Sequence, residues 1–345
     1  MNLHVQGLDL PLKHRFTIAH QSREVQETLI VRLEEDGLFG LGESTTNPFY
    51  GITLDNMREA LEKFKPVLLG GKWNTPAELW ELGKEIFRDN PFAQCALDQA
   101  AWDLYTKKKG KKLYEYLNLN PQRIPTTNFT IGIDTVEKMC AKLREVEWPI
   151  YKIKLGTDQD LEIVRELRKN TSSIFRVDAN CAWTVDQAIS YSEELASLGV
   201  EFIEQPLAKD NLEGMKEVFR YSRLPLIADE SCIHEEDVAT CKGRFHGVNI
   251  KLVKTGGITP ALRMIQEAKA LGMKTMVGCM TESTVGISAI AHLLPELDFV
   301  DMDGPLLMTV LNGRGLDFSY HQQNGRIAPL NAPGLGVQYQ VPFKK

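Results

Sequence analysis

Long apolar runs are missing from this chain of 345 residues. None approaches the ~20 residues of a membrane-spanning helix, so the sequence predicts no membrane partner. A basic excess is missing too. Forty Lys and Arg stand against 46 Asp and Glu, for a net charge of -6. Nucleic acid is therefore excluded as an expected partner. Cysteines are few, at positions 95, 140, 181, 232, 241 and 279, and none has C-x-x-C spacing. That scatter fits reduced thiols and argues against a disulfide framework or a zinc site. The first residues, Met1 to Gln6, lack a charged region followed by an apolar one. A cytoplasmic location is the expectation.

What is present is ordinary for a globular protein, with 43% hydrophobic and 25% charged residues. The length suits a large barrel with an accessory domain. Residues 1–118 read as an α+β unit. Val5–Pro11 and Glu27–Glu34 carry strand patterns. Lys13 to Arg23 between them is polar and basic, and reads as a loop. Gly37, Gly40 and Gly42 read as turn punctuation before Glu43. Helical patterns follow over Leu54–Leu68, Pro76–Phe87 and from Phe92 to Tyr105, the last apolar or small on most faces and so buried. Lys111 to Leu117 reads as a short amphipathic piece.

From Pro125 the rhythm changes. Eight short apolar segments, starting near Thr127, Tyr151, Ile174, Glu201, Leu224, Gly247, Lys274 and Asp298, alternate with seven helical ones. Strands rich in Val, Ile and Leu between helices predict a parallel sheet, and eight repeats predict closure into a barrel over residues 119–311. No eighth helix is evident. Residues 312–345 are rich in turns and are expected to pack back on the N-terminal unit.

Charged residues mark the C-terminal ends of most of these strands. Lys152 and Lys154 end the second, Asp178 the third, Glu204 the fourth, Asp229 the fifth and Lys251 the sixth, with Asp301 and Asp303 at the eighth. From Lys154 to Lys251 they recur at intervals of roughly 25 residues, somewhat under one βα unit of a barrel. Singly, such an Asp also fits a helix cap, and Lys152 with Lys154 also fits an edge strand with two solvated lysines. A barrel brings all these ends to one face, where its active sites lie. Asp178, Glu204 and Asp229 offer hard oxygen ligands without Cys or His, which favours Mg²⁺, or Mn²⁺ in its place. Lys154 and Lys251 lie four strands apart and would face each other across the mouth. A substrate carbon between them would have a base on each face. The metal would stabilise an enediolate, and the outcome would be inversion at that carbon. Lys152 would supply a cation that lowers the Lys154 pKa. Asp301 and Asp303 either fold a loop or form an anion pair for a substrate ammonium.

Together these motifs, K-x-K, D-x-N, E-Q-P, D-E-S and N-I-K-L, resemble the enolase superfamily in its muconate-lactonizing-enzyme subgroup, over essentially the whole chain. The resemblance implies a modified TIM barrel, (β/α)7β, with an N-terminal α+β capping domain. It implies that the D-x-D marks dipeptide epimerases, with Asp301 and Asp303 holding the free ammonium. It places Thr130, Cys279 and Thr281 along the dipeptide, and it closes the loop 13–23 over the barrel mouth. There Arg23 would meet a γ-carboxylate, favouring L-Ala-L-Glu over Ala-Ala. It also implies a homo-oligomer without fixing its number. The other readings are an N-acylamino-acid racemase or o-succinylbenzoate synthase, a Schiff-base aldolase, and a metal-dependent small-molecule binding protein.

Overall fold

The structure, a computed structural model, describes residues 1–19, 21–309, 322, 323 and 325–338. It opens with an antiparallel sheet of β1 (Asn2–Ile18), β2 (Gln21–Glu35) and β3 (Leu38–Thr45). The strands expected at Val5–Pro11 and Glu27–Glu34 are cores of a much longer hairpin. Residues 13–18 and 21–23 continue its two strands towards the tip rather than forming a loop. The pairing of β1 with β2 breaks between Pro11 and Phe16, then resumes as Phe16↔Arg23 and Ile18↔Gln21. Such a bulge re-aims the arm. The tip then leans on the barrel, where the Ile133 amide donates to the Thr17 carbonyl at 2.9 Å and Leu12 bridges to Met308.

Helices α1 (Leu54–Leu69) and α3 (Pro91–Lys108) pack on this sheet, with α2 (Pro76–Gly83) against α3. Helix α2 ends before the expected Phe87. Gly40 and Gly42 are not turn residues but lie within β3. A Cβ at Gly42 would sit 1.9 Å from the Ala96 carbonyl oxygen, so their bareness lets α3 lie directly on the strand. Helix α3 is buried nearly all round, as its composition predicts.

After α4 (Leu113–Tyr116) come the eight parallel strands: β4 (Phe129–Ile131), β5 (Ile150–Lys154), β6 (Ile174–Asp178), β7 (Val200–Glu204), β8 (Leu226–Ala228), β9 (Gly247–Lys251), β10 (Lys274–Gly278) and β11 (Phe299–Asp301). They pair in sequence order. A bridge from Thr127 to Val300 joins the last strand to the first and closes the ring. Outside run α5 (Val136–Glu145), α6 (Asp160–Arg168), α7 (Val185–Ser197), α8 (Leu212–Tyr221), α9 (Asp237–Cys241), α11 (Ile258–Ala270) and α12 (Thr284–Ala291), with a single turn α10 (Leu252–Thr255) directly after β9. Among the described residues no helix is long and apolar enough to cross a membrane.

Helix α3 is the hinge between the two units. Asp98 Oδ1 accepts from the Thr259 hydroxyl at 2.6 Å and Oδ2 from the Thr259 amide at 2.9 Å. It thereby caps α11, whose own N-cap, Gly257, has no side chain to do so. Of the C-terminal segment, Asn312 to Gly315 lie outside the described residues. Gly334 exchanges hydrogen bonds with Lys111 and Leu113, and the Leu335 amide donates to Asp103 at 2.7 Å. These contacts lie on the α3–α4 side of the capping unit.

Candidate active site

The strand registers assemble two rows of charge at the barrel mouth. Lys154 pairs with Asp178, and Asp178 with Glu204, across β5, β6 and β7. Lys251 pairs with Gly278, and Gly278 with Asp301, across β9, β10 and β11. The rows meet in a cavity of about 300 Å³ lined by Thr130, Lys152, Lys154, Asp229, Lys251, Cys279, Thr281, Asp301 and Asp303. Arg23, with Phe16 and Ile18, reaches it from the hairpin tip. Asp178 and Glu204 lie just below, fully buried. All twelve sequence-predicted residues therefore converge on one place.

After Asp178 the backbone turns sharply, with Asn180 and Cys181 both in the left-handed region at φ 43° and 67°. The Asn180 amide returns to donate to Asp178 Oδ1 at 3.0 Å. This turn carries the chain out of the mouth while the carboxylate stays inside.

The buried charges are matched pair by pair. Lys152 lies among Asp178 (3.1 Å), Glu204 (2.8 Å) and Asp301 (2.9 Å). Lys154 donates to Asp178 Oδ2 at 2.6 Å, and Lys251 reaches Asp229 Oδ2 at 2.7 Å. Burial opposes charge on Lys152, but Asp301, Glu204 and Asp178 outweigh it and raise its pKa. Its charge is thus matched by three carboxylates. For Asp178 burial is again outweighed, here by Lys154 and Lys152, which hold the carboxyl at about 2. Glu204 goes the other way. Burial and then the neighbouring Asp178 push it up to about 8.

Carboxylate oxygens of Asp178, Glu204 and Asp229 can all lie within 4.8 Å of one another. Six carboxyl groups, on Asp178, Glu204, Asp229, Glu230, Asp301 and Asp303, share the mouth with four ammonium groups, on Lys152, Lys154, Lys251 and Lys254. A divalent cation among Asp178, Glu204 and Asp229 would favour the ionised form of all three, Glu204 included. An all-oxygen donor set within 4.8 Å of one another fits Mg²⁺ or Mn²⁺.

Asp301 and Asp303 also stitch the barrel seam between β11 and β4. Asp301 Oδ1 accepts from Asn128 Nδ2 at 2.8 Å, and Asp303 Oδ2 accepts from the Thr130 amide at 2.5 Å. Burial and the nearby Asp301 raise Asp303 to about 8. The loop-folding reading of the D-x-D is thus met by both residues; an ammonium at Asp301 would have to share Oδ2, which already accepts from Lys152 at 2.9 Å.

Three residues of the site were given no role by the sequence pattern, although Glu230 lies within its D-E-S motif. Lys254, fully buried, donates to the Asp229 carbonyl at 2.6 Å and to Asp229 Oδ1 at 2.5 Å. Its only trace was its place one helical turn beyond Lys251. Tyr50 lines the cavity from a 3₁₀ turn over Pro48–Tyr50, and burial followed by Asp229 raises its phenol. Glu230, raised to about 7 by burial and by Asp229, accepts from Asn180 Nδ2 at 3.3 Å.

Comparison with known proteins places this arrangement. Residues 134–342 match the model for the enolase C-terminal domain-like family, and residues 5–117 that for the mandelate racemase / muconate lactonizing enzyme N-terminal domain. The chain belongs to the mandelate racemase / muconate lactonizing enzyme family of the enolase superfamily. Within that family it is 54% identical to an L-Ala-D/L-amino acid epimerase of Flavobacterium johnsoniae, covering 98% of this chain and 99% of that one. A dipeptide epimerase of Cytophaga hutchinsonii, solved with Mg and D-Ala-L-Val, superposes with a TM-score of 0.92 at 27% identity over 98% of this chain and 95% of the other. One from Enterococcus faecalis, solved with Mg and L-Leu-L-Tyr, gives 0.89 at 31% identity over 98% and 99%.

Proposed function

We propose that this protein is a Mg²⁺-dependent dipeptide epimerase that inverts the α-carbon of the C-terminal residue. The observation that carries this is the pair Lys154 and Lys251, set on strands four apart and lining one cavity with Asp301 and Asp303. An α-proton beside a carboxylate is very weakly acidic. One lysine takes it and the other returns a proton to the opposite face, a net 1,1-proton transfer. Asp178, Glu204 and Asp229 would hold the metal, which supplies Lewis-acid charge to the substrate carboxylate when bound. Lys152 adds positive charge beside that carboxylate and fixes Glu204 and Asp301. Asp301 and Asp303 take the α-ammonium, since a buried cation demands matched charge. Thr130, Cys279 and Thr281 line the dipeptide. The family relatives named as dipeptide epimerases support the same reading.

Specificity is read by the hairpin tip. Arg23 makes no ion pair among the described residues; its guanidinium donates to Gln26, and burial lowers its pKa. A half-buried guanidinium beside the cavity favours a γ-carboxylate, and L-Ala-L-Glu is the leading substrate. Phe16, Ile18 and Phe49 beside it extend the range to apolar side chains such as that of Ala-Ala. Six free thiols fit a reducing cytoplasm, and a homo-oligomer is the expected assembly.

The test is a dipeptide library incubated with Mg²⁺-loaded protein in D₂O. Mass spectrometry should find deuterium at the C-terminal residue, and chiral chromatography the new epimer. Exchange in no dipeptide would overturn the proposal.

A further inference from the structure

A fully buried carboxylate outside the catalytic set ties the capping sheet to the cavity wall. Glu43, on β3, accepts four hydrogen bonds. Onto Oε1 come the Thr28 hydroxyl at 2.8 Å and the Ser283 amide at 2.9 Å. Onto Oε2 come the Ser283 hydroxyl at 2.5 Å and the Gly286 amide at 2.9 Å. Two of these donors are free amides in the first turn of α12, so a residue of one domain caps a helix of the other. Every strong acceptor direction of the carboxylate is used.

Of the five residues between β10 and α12, the first three, Cys279, Met280 and Thr281, line the cavity. Glu282 closes this short loop by accepting from the Met280 amide at 2.9 Å. Its backbone is wedged against Gly304, where a Cβ would come within 2.6 Å of the Glu282 carbonyl oxygen. A second tie runs from the capping unit to the same loop. Asn47 Nδ2 donates to Met280 Sδ at 3.6 Å, and Asn47 also caps the turn that carries Phe49 and Tyr50. The loop thus has little freedom apart from movement of the α12 N-terminus, and that N-terminus is held by Glu43.

We infer that Glu43 is a positioning residue for substrate binding: through the α12 N-terminus it sets the Cys279–Thr281 wall against the dipeptide. This rests on the cavity being the dipeptide site. Glu43 touches neither lysine nor any of Asp178, Glu204 and Asp229, so its effect falls on binding rather than on proton transfer. A merely structural staple would instead lower the folded fraction, and with it the apparent kcat, at unchanged KM.

The experiment compares wild type with Glu43→Gln, which keeps the shape but presents an NH₂ to an amide that needs an acceptor, and with the milder Ser283→Ala. Steady-state kinetics on Ala-Glu and Ala-Ala are read beside hydrogen exchange of the 279–286 amides and Mg²⁺ affinity. Glu43→Gln should raise KM roughly 10- to 100-fold with kcat within about threefold. The 279–286 amides should exchange faster, while β5, β9 and Mg²⁺ affinity stay unchanged. Ser283→Ala should shift KM in the same direction and by less. Unchanged KM with a lowered kcat, or wild-type exchange at 279–286, would overturn the inference. A wild type inert towards every dipeptide would overturn the proposed function, and the exchange measurement would still decide whether Glu43 holds the loop.

Discussion

Lys154 and Asp178 stand side by side in register on adjacent strands, with Nζ 2.6 Å from Oδ2. The proposed base and a proposed metal-binding carboxylate therefore share one hydrogen bond. Lys251 and Asp229 repeat the pairing on the opposite side of the ring, at 2.7 Å. In the proposed reaction each lysine exchanges this partner for the substrate's α-carbon, and a cation held by the carboxylates would release both lysines to do so.

From that coupling follows a metal prediction. EDTA should abolish activity, and Mg²⁺ or Mn²⁺ should restore it. Asp178→Asn, Glu204→Gln and Asp229→Asn should each weaken Mg²⁺ binding by tenfold or more, on the order of 1.4 kcal/mol, because a neutral amide is a poorer ligand for a hard cation. Isothermal titration calorimetry reads this directly. Unaltered affinity in all three variants would remove the triad from the metal site.

A second prediction concerns Arg23. Its guanidinium has a neutral partner, Gln26, and so remains available to an acidic side chain. Arg23→Ala should cut kcat/KM for Ala-Glu by roughly 10- to 100-fold, consistent with loss of a charge-assisted hydrogen bond. The Ala-Ala value should change less than about threefold. If the ratio of the two substrates is the same in both proteins, Arg23 does not read the side chain.

Much of this was legible in the chain. The eight barrel strands were visible because each is a short apolar run between helical segments, and six of the eight end in a charged residue. Lys152, Lys154 and the three acidic ends could be placed because strand alternation fixes which side chains share a face. The hairpin tip was not legible. Its strands carry polar and basic residues, since they pair only with each other and with a cavity rim, so no buried face imposes alternation. Gly40 and Gly42 looked like turn residues because the demand they meet, the close approach of α3, comes from 50 to 60 residues away in the chain. Lys254 and Glu43 were invisible for a similar reason: each is buried against a partner that only the closed barrel supplies.

The third prediction concerns stability against pH. His292, at the C-terminal end of α12, has a ring pKa lowered to about 4, chiefly by burial, and its Nδ1 accepts from the Tyr114 amide at 3.3 Å. The folded form thus holds a neutral ring. Its contribution is fully present above the unfolded-state pKa of about 6.5 and is lost as pH falls from there towards 4. The loss should reach about 3 kcal/mol at the acid end. Urea denaturation between pH 4.5 and 7, in wild type and His292→Gln, should show a shallower slope in the variant. Parallel curves would assign the acid sensitivity to other groups.

The account rests most heavily on one lysine serving each face of the α-carbon. The measurement is stereospecific deuterium incorporation in D₂O by Lys154→Ala and Lys251→Ala, each given the L,L and L,D forms of Ala-Glu separately. Each variant should lose epimerisation by 10³-fold or more, on the order expected for removing a general acid–base group. Each should still exchange the α-proton of one stereoisomer, and the two variants should choose opposite stereoisomers. Normal epimerisation in either variant, or exchange of the same stereoisomer by both, would contradict the two-base assignment.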